Sequence, residues 1–145
     1  MRARSFVVAL LAVILATVVG CGGSRTQASA TTLTFWTAED NPDRVKATQA
    51  IIDRFQQQTN IKVKLVAVGE DQLQSQLTSA SAAGTLPDVL AAVSLGYVHS
   101  LAADGITDPD AAAAIINSLG RQTFSQRSLS LVEANGRPVA VPSDS

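Results

Sequence analysis

The sequence predicts an α/β fold in which helices cover both faces of a mainly parallel β-sheet. Short runs rich in β-branched and aromatic residues alternate with longer segments whose apolar residues recur every three or four positions. From Leu33 to Val93 the order is β-α-β-α-β. This alternation is typical of parallel strands joined by crossover helices that pack on the sheet.

Residues suited to element ends define the first strand and the first helix. The run Leu33–Ala38 is rich in aromatic and branched residues and predicts the first strand. Asn41 can cap the helix that follows, and Pro42 suits its first position. The apolar face of this helix consists of Val45, Ile51, Ile52 and Phe55. Because asparagine tolerates the left-handed conformation that ends many helices, we expect the helix to stop at Asn60.

Two more strands and one more helix complete the predicted parallel unit. Ile61–Val68 alternates at its start and becomes continuously apolar, as a partly buried strand does. Glu70 and Asp71 open the second helix, which Gly84 ends. The third strand is the apolar run Val89–Val93.

The remaining elements are predicted from caps and from one turn. Asp88 is expected to bind backbone amides at the start of the third strand. Helical residues cover about Tyr97–Ala103, and Asp108 caps a further helix. A hairpin is predicted from Leu129–Ala134, the turn Asn135-Gly136 and Arg137–Val141.

The N-terminal residues have the pattern of an export signal. Arg2 and Arg4 precede the apolar run Phe6–Val19, which is shorter than the roughly 20 residues of a membrane-spanning helix. Cys21, the only cysteine, follows small and branched residues and resembles the modified cysteine of bacterial lipoprotein signals. In such signals the thiol receives a diacylglycerol and becomes the mature N-terminus. The alternative is an ordinary secretory signal in which Cys21 is incidental.

The lipoprotein interpretation divides this part of the chain into two. Residues 1–20 are expected to form a lipoprotein signal peptide, and Cys21 is the expected lipidation site, which anchors the protein to the membrane. Residues 21–32, rich in glycine, serine, threonine and alanine, are expected to form a flexible tether.

Composition excludes several functional classes. Eleven basic side chains oppose twelve acidic ones, so charge gives no reason to expect a nucleic-acid partner. One cysteine excludes a disulfide framework and any cysteine-based zinc cluster. His99, the only histidine, has no partner at a recognisable motif spacing and is expected to be a surface or packing residue. No phosphate loop or nucleophile elbow is present, so the sequence predicts no enzyme, cofactor, metal or catalytic residue.

Five segments in order resemble the N-terminal part of extracellular solute-binding proteins of ABC importers. The similarity is greatest to the family that includes maltose-binding and other sugar-binding proteins. The segments are LTFWTAED, IIDRFQQQTNIKVKLVAV, SAAGTLPDVLAAV, ADGITDPD and NGRPVAVPSDS. One departure is Asn60, which stands where the family usually has glycine.

The resemblance implies a periplasmic-binding-protein-like lobe. Residues 33–141 would be the N-terminal part of lobe one, and residues 142–145 the start of the hinge to a second lobe. The fold is therefore expected to be incomplete at the C-terminus. The implied function is the lipid-anchored substrate-binding component of an ABC importer for a sugar or oligosaccharide. Its partners would be permease subunits, and its location extracytoplasmic, on the cell membrane. The alternative is a non-transport lipoprotein that uses the lobe as an interaction or sensor module.

Candidate ligand-binding residues follow from the general rule that open α/β sheets bind ligands outside the carboxyl ends of their strands. The resemblance places three such loops in the cleft between lobes. The candidates are Trp36, Thr37, Glu39 and Asp40 after the first strand, Ser94 and Tyr97 after the third, and Ser143 and Asp144 at the end of the chain.

Several of these residues have a structural alternative. Trp36 suits the C–H face of a sugar ring, and its structural alternative is a core residue at the end of a strand. Glu39 and Asp40 can accept hydrogen bonds from sugar hydroxyls or compensate the positive end of the next helix. Tyr97 can stack on a ligand or pack its own helix.

Overall fold

In the computed structural model, which describes residues 32–143, the predicted order of strands and helices is confirmed from the first strand to the helix that Asp108 caps. The strands are β1 (Thr32–Thr37), β2 (Lys62–Ala67), β3 (Val89–Ala91), β4 (Glu133–Ala134) and β5 (Arg137–Pro138). The helices are α1 (Pro42–Thr59), α2 (Glu70–Ala83), α3 (Leu95–Ala103), α4 (Pro109–Leu119) and α5 (Gln126–Leu131), with one 3₁₀ turn at Arg121–Thr123. The predicted signal peptide (residues 1–20), the lipidation site Cys21, the predicted tether except Thr32, which begins β1, and the candidate Asp144 lie outside the described residues.

The main sheet is parallel, with the strand order β2-β1-β3. Trp36 in the central strand lies between Val66 and Leu90 in register, so the three side chains form one row on one face. All three pack against the buried core cluster, which consists of Val68, Leu73, Leu77 and Leu101. Helices α2 and α3 supply most of this cluster and therefore cover that face.

Helix α1 belongs to the opposite face. The β1-to-β2 and β2-to-β3 connections run across the sheet in opposite directions. Since parallel crossovers are right-handed, connections in opposite directions place their helices on opposite faces. Ile52 is the buried residue of α1 and is not a member of the α2 and α3 core cluster. The structure thus has the predicted mixed α/β architecture.

The predicted helix ends are confirmed by their capping contacts. The Asn41 side chain accepts hydrogen bonds from the N–H groups of Asp43 and Arg44 at 3.0 and 3.4 Å. Asn60 and Gly84 end α1 and α2 in the left-handed conformation, with φ of 59° and 66°. These ends are local features, because each depends only on residues within one helical turn.

Asn41→Ala should lower the free energy of unfolding by about 1 kcal/mol, because two N–H groups of α1 lose their acceptor. Urea unfolding of the purified protein would measure the change. Asn117→Ala, at an exposed position inside α4, is the matched control and should change stability by less than about 0.5 kcal/mol. Equal losses in both variants would contradict the capping role.

Asp88 has the predicted structural role. Its carboxylate accepts a hydrogen bond from the Thr34 N–H at 2.7 Å, and its own N–H donates to the Thr34 carbonyl at 3.0 Å. The two bonds fix the start of β3 against β1.

The predicted first arm of the hairpin is wrong over most of its length. Residues up to Leu131 form α5, and Ser125 caps this helix by accepting from the Ser128 N–H. Leu129 and Val132 are both buried, and their spacing of three residues fits a helix better than a strand. The turn itself is confirmed: Asn135 and Gly136 have φ of 53° and 75°, as a type I′ turn requires.

Two largely exposed ion pairs link the hairpin to its neighbours. Arg121 donates to Glu133 in β4 at 3.2 Å, and Arg137 in β5 pairs with Asp110 near the start of α4.

Within residues 32–143 no helix combines the length and the apolar character that a membrane span needs.

Candidate functional site

The candidate site lies where the winding of the sheet reverses. The chain leaves β1 for β2 on one side and then crosses to β3 on the other, so the reversal point lies between the carboxyl ends of β1 and β3. Open α/β sheets bind ligands at such points. A cleft of about 340 Å³ opens there, lined by Ala38, Glu70, Asp71, Leu73, Gln74, Val93, Ser94 and Tyr97.

Backbone hydrogen bonds fix the floor of this cleft. The Ala38 N–H donates to the Ala91 carbonyl at 3.0 Å, and the Val68 N–H donates to the Thr37 carbonyl at 2.9 Å. The end of β1 is therefore held by both neighbouring strands. Thr37 is buried, with only 3% of its surface exposed, and its hydroxyl accepts from the Glu39 N–H at 3.3 Å. The structure thus places Thr37 beneath the loop that follows β1.

Ser94 and Tyr97, both predicted site residues, are brought together in the cleft. Ser94 occupies the N-cap position of α3, yet its hydroxyl makes no capping hydrogen bond. Tyr97 is half-buried and packs against the core cluster. Burial raises the pKa of Tyr97 above its usual value of 10.0, and the charge of Asp104 raises it further. The phenol is therefore neutral near pH 7 and can both donate and accept hydrogen bonds.

The first two turns of α2 supply three polar residues that were not predicted to belong to the site. Glu70, Asp71 and Gln74 line the cleft, and all but Gln74 were interpreted only as a helix start. Glu70 and Asp71 follow β2 as Glu39 and Asp40 follow β1. This repetition in the sequence could have indicated Glu70 and Asp71 as site candidates. A Cβ atom at Gly69 would lie 2.8 Å from Asp71 Oδ1 and 3.2 Å from Asp40 Oδ2, so both carboxylates approach this glycine.

Glu39 is engaged with the start of α1. It accepts a hydrogen bond from the Asn41 N–H at 3.0 Å and pairs with Arg44 at 2.8 Å. The backbone hydrogen bond lowers the pKa of Glu39 most; desolvation opposes this shift, and Arg44 adds to it. These contacts agree with its structural alternative, and its contact with a ligand stays a prediction, as does that of the exposed Asp40.

The lowered pKa of Glu39 predicts a loss of stability in acid. A carboxylate whose pKa falls on folding stabilises the protein above its unfolded value, here 4.5, and loses that contribution as the pH falls below it. Glu39→Gln should therefore reduce the change in urea midpoint between pH 6 and pH 3. Arg44→Ala should keep most of this pH dependence, because the Asn41 backbone bond is the larger cause. A pH dependence unchanged in Glu39→Gln would contradict the assignment.

Thr37, Glu39 and Asp40 are not among the residues that line the cleft, and two further candidates also lie outside it. Trp36 is half-buried against the core cluster and is not among the residues that line the cleft. Ser143 is exposed and borders a different feature, an apolar groove of about 760 Å³ beside β3. The contact of both residues with a ligand stays a prediction.

The groove beside β3 is larger than the cleft but chemically less suited to a polar solute. Five large apolar side chains that line it are each more than one third exposed: Leu86, Val89, Leu95, Ile115 and Leu131. The cleft, in contrast, combines an apolar floor with carboxylates, a hydroxyl, an amide and a phenol. The cleft therefore suits a polar ligand better than the groove does.

The part of the chain that the structure describes contains no cluster of acidic, histidine or cysteine side chains that could hold a metal ion. His99 lies elsewhere, with its Nε2 atom 2.9 Å from the Leu131 carbonyl, and joins α3 to α5. This contact agrees with the predicted packing role.

Residues 38–123 match the family described as bacterial extracellular solute-binding protein. A comparison with curated proteins gives no match.

The fold is similar to several solved structures of binding proteins. A periplasmic solute-binding protein from Pectobacterium atrosepticum aligns with a TM-score of 0.65 and 23% identity, over 75% of this chain and 26% of that one. The sugar-binding protein MalE from Xanthomonas citri aligns with a TM-score of 0.66 and 18% identity, over 77% and 28%. The maltotriose-binding protein of Thermus thermophilus aligns with a TM-score of 0.59 and 17% identity, over 74% and 28%. This chain thus spans about a quarter of the length of these structures.

Proposed function

The chain belongs to the bacterial extracellular solute-binding proteins, and from this we propose that it is the lipid-anchored sugar-binding component of an ABC importer. Its partners would be a sugar or oligosaccharide and the permease subunits of the importer, outside the cytoplasm. The observation that carries the proposal is the polar cleft between the carboxyl ends of β1 and β3, which combines Ser94 and Tyr97 with the start of α2.

The chemistry of the cleft supports a sugar as the solute. Ala38, Val93 and the Tyr97 ring provide apolar surface for the C–H faces of a sugar ring. The Asp71 carboxylate and the Gln74 amide can bind hydroxyl groups, and carboxylates accept from them strongly. The solved structure of the Thermus thermophilus relative has maltotriose bound, which makes this trisaccharide a suitable first probe.

Thermal unfolding with a panel of solutes tests the proposal. Because the polar side chains of the cleft other than Tyr97 are exposed, most hydrogen bonds to a ligand compete with water, and we expect a dissociation constant of about 1 mM. Maltotriose at 10 mM should then stabilise Gly22–Ser145 by about 1.4 kcal/mol, an increase of several degrees in melting temperature. Glutamate and putrescine at the same concentration are the comparison solutes. Stabilisation by one of these and by no sugar would contradict the proposed solute class.

Lipid anchoring is supported by the single cysteine at the position that a lipoprotein signal requires. Cys21→Ser should abolish metabolic labelling of the protein by palmitate and release it from the membrane, because the acylated thiol is lost. Ser24→Ala, three residues on, is the matched control and should be labelled normally. Labelling that persists in Cys21→Ser would rule out this anchor.

A further inference from the structure

One alanine has a backbone conformation that alanine avoids. Ala92, directly after β3, has φ of 59°. Among the described residues, the other non-glycine positions with positive φ are Asn60 and Asn135, and asparagine tolerates this region better than other side chains. Ala92 is neither a helix end nor part of the hairpin turn, so the strain marks a specific change of direction at the end of β3.

The change of direction alters which face the following residues occupy. In a regular strand, residues an odd number of positions apart point to opposite faces, so Leu90 and Val93 would lie on opposite sides of the sheet. In the structure both side chains pack against the same core cluster, while Ala92 between them is exposed. β3 stays paired up to Ala91, whose carbonyl accepts from the Ala38 N–H at 3.0 Å. The reversal therefore takes place at Ala92.

Every residue that the β3 side contributes to the cleft follows this reversal. Val93, Ser94 and Tyr97 line the cleft opposite the start of α2. If Ala92 had the backbone conformation of a regular strand, the alternation of side chains along β3 would direct Val93 away from the core. Ser94 and the start of α3 would move with it.

We propose that Ala92 is a positioning residue for the sugar-binding cleft, and this inference rests on the proposed function. Its left-handed backbone, and not its side chain, fixes Val93 in the core and thereby places Ser94 and Tyr97 against the end of β1. Ala92 itself does not contact the sugar. Substitutions should therefore be ranked by their tolerance of positive φ and not by their size or polarity.

The test compares two variants whose new residue tolerates positive φ, Ala92→Gly and Ala92→Asn, with Ala92→Val, whose new residue does not. Ala114→Val, at an exposed position in α4, is the control. Two readouts are needed on Gly22–Ser145. Nuclear Overhauser effects between the Val93 methyl groups and the core leucines report the reversal itself. Maltotriose-induced chemical shift changes at Ser94 and Tyr97 report the cleft.

We expect the glycine and asparagine variants to keep both signals, with melting temperatures no lower than that of the wild type. Ala92→Val should lose the Overhauser effects and weaken maltotriose binding at least tenfold, while Ala114→Val should keep both. Val93 contacts and binding that survive in Ala92→Val would overturn the proposal. If Ala92→Val does not fold, the glycine and asparagine variants decide. Loss of the Val93 contacts in both variants would overturn the proposal, and retention of these contacts would support it. A further outcome is possible, in which the Overhauser effects are as expected but maltotriose shifts no signal in the wild type or in any variant. That outcome would exclude maltotriose as a ligand and leave the positioning role of Ala92 intact.

Discussion

Leu77→Ala is expected to lower the free energy of unfolding by about 2–5 kcal/mol, the range for large-to-small changes in a closed core. Leu77 is only 2% exposed and lies in the cluster between α2 and the sheet. Truncation removes buried methyl groups and leaves a cavity that the surrounding strand and helix cannot fully close. Since domains of this size are stable by about 5–15 kcal/mol, this is a large share of the total.

Urea unfolding of Gly22–Ser145 measures this effect through the shift of the midpoint. Leu119→Ala in α4 is the matched control, because Leu119 is 57% exposed and should cost less than about 0.5 kcal/mol. Similar losses at Leu77 and Leu119 would mean that the core described between α2 and the sheet does not form.

Trp36→Ala should lower the free energy of unfolding by about 3 kcal/mol, at the lower end of the range for aromatic truncation because the side chain is half-buried. Trp36 stands at the centre of the row Val66–Trp36–Leu90, in contact with the core cluster. Its loss removes the contacts of this side chain with the core cluster at the strand end that bears the cleft.

Trp36→Phe separates packing from ligand contact. Compared with Trp36→Ala, the phenylalanine ring should restore most of the free energy of unfolding, because it fills most of the space between Val66 and Leu90. It lacks the indole N–H. Stability restored together with reduced maltotriose affinity would support a direct contact between Trp36 and the sugar. A Trp36→Ala variant as stable as the wild type would contradict the position of this side chain against the core.

The ends of the helices and strands could be predicted because local chemistry determines them. Asn41, Asn60 and Gly84 act on backbone groups within one turn, so their roles can be seen in a few residues of sequence. The Asn135-Gly136 turn was predictable for the same reason, since both residues adopt positive φ readily.

Features that depend on distant parts of the chain were not predictable in the same way. The apolar run before the hairpin became helical because Leu129 and Val132 are buried together, and the burial of a residue depends on what packs over it. The contribution of Gln74 to the cleft requires knowing that α2 connects β2 to β3 across β1, which follows only from the strand order. The reversal at Ala92 has no sequence signal, because alanine is a poor residue for positive φ.

A two-dimensional NMR titration of Gly22–Ser145 with maltotriose is the decisive test of sugar binding in the cleft, because it reports weak binding residue by residue. If maltotriose binds in the cleft, saturable chemical shift changes should be concentrated at Ala38, Asp71, Gln74, Ser94 and Tyr97. Shifts concentrated along the apolar groove, at Leu86, Ile115 and Leu131, would contradict this account of the site, as would the absence of any shift at 20 mM sugar.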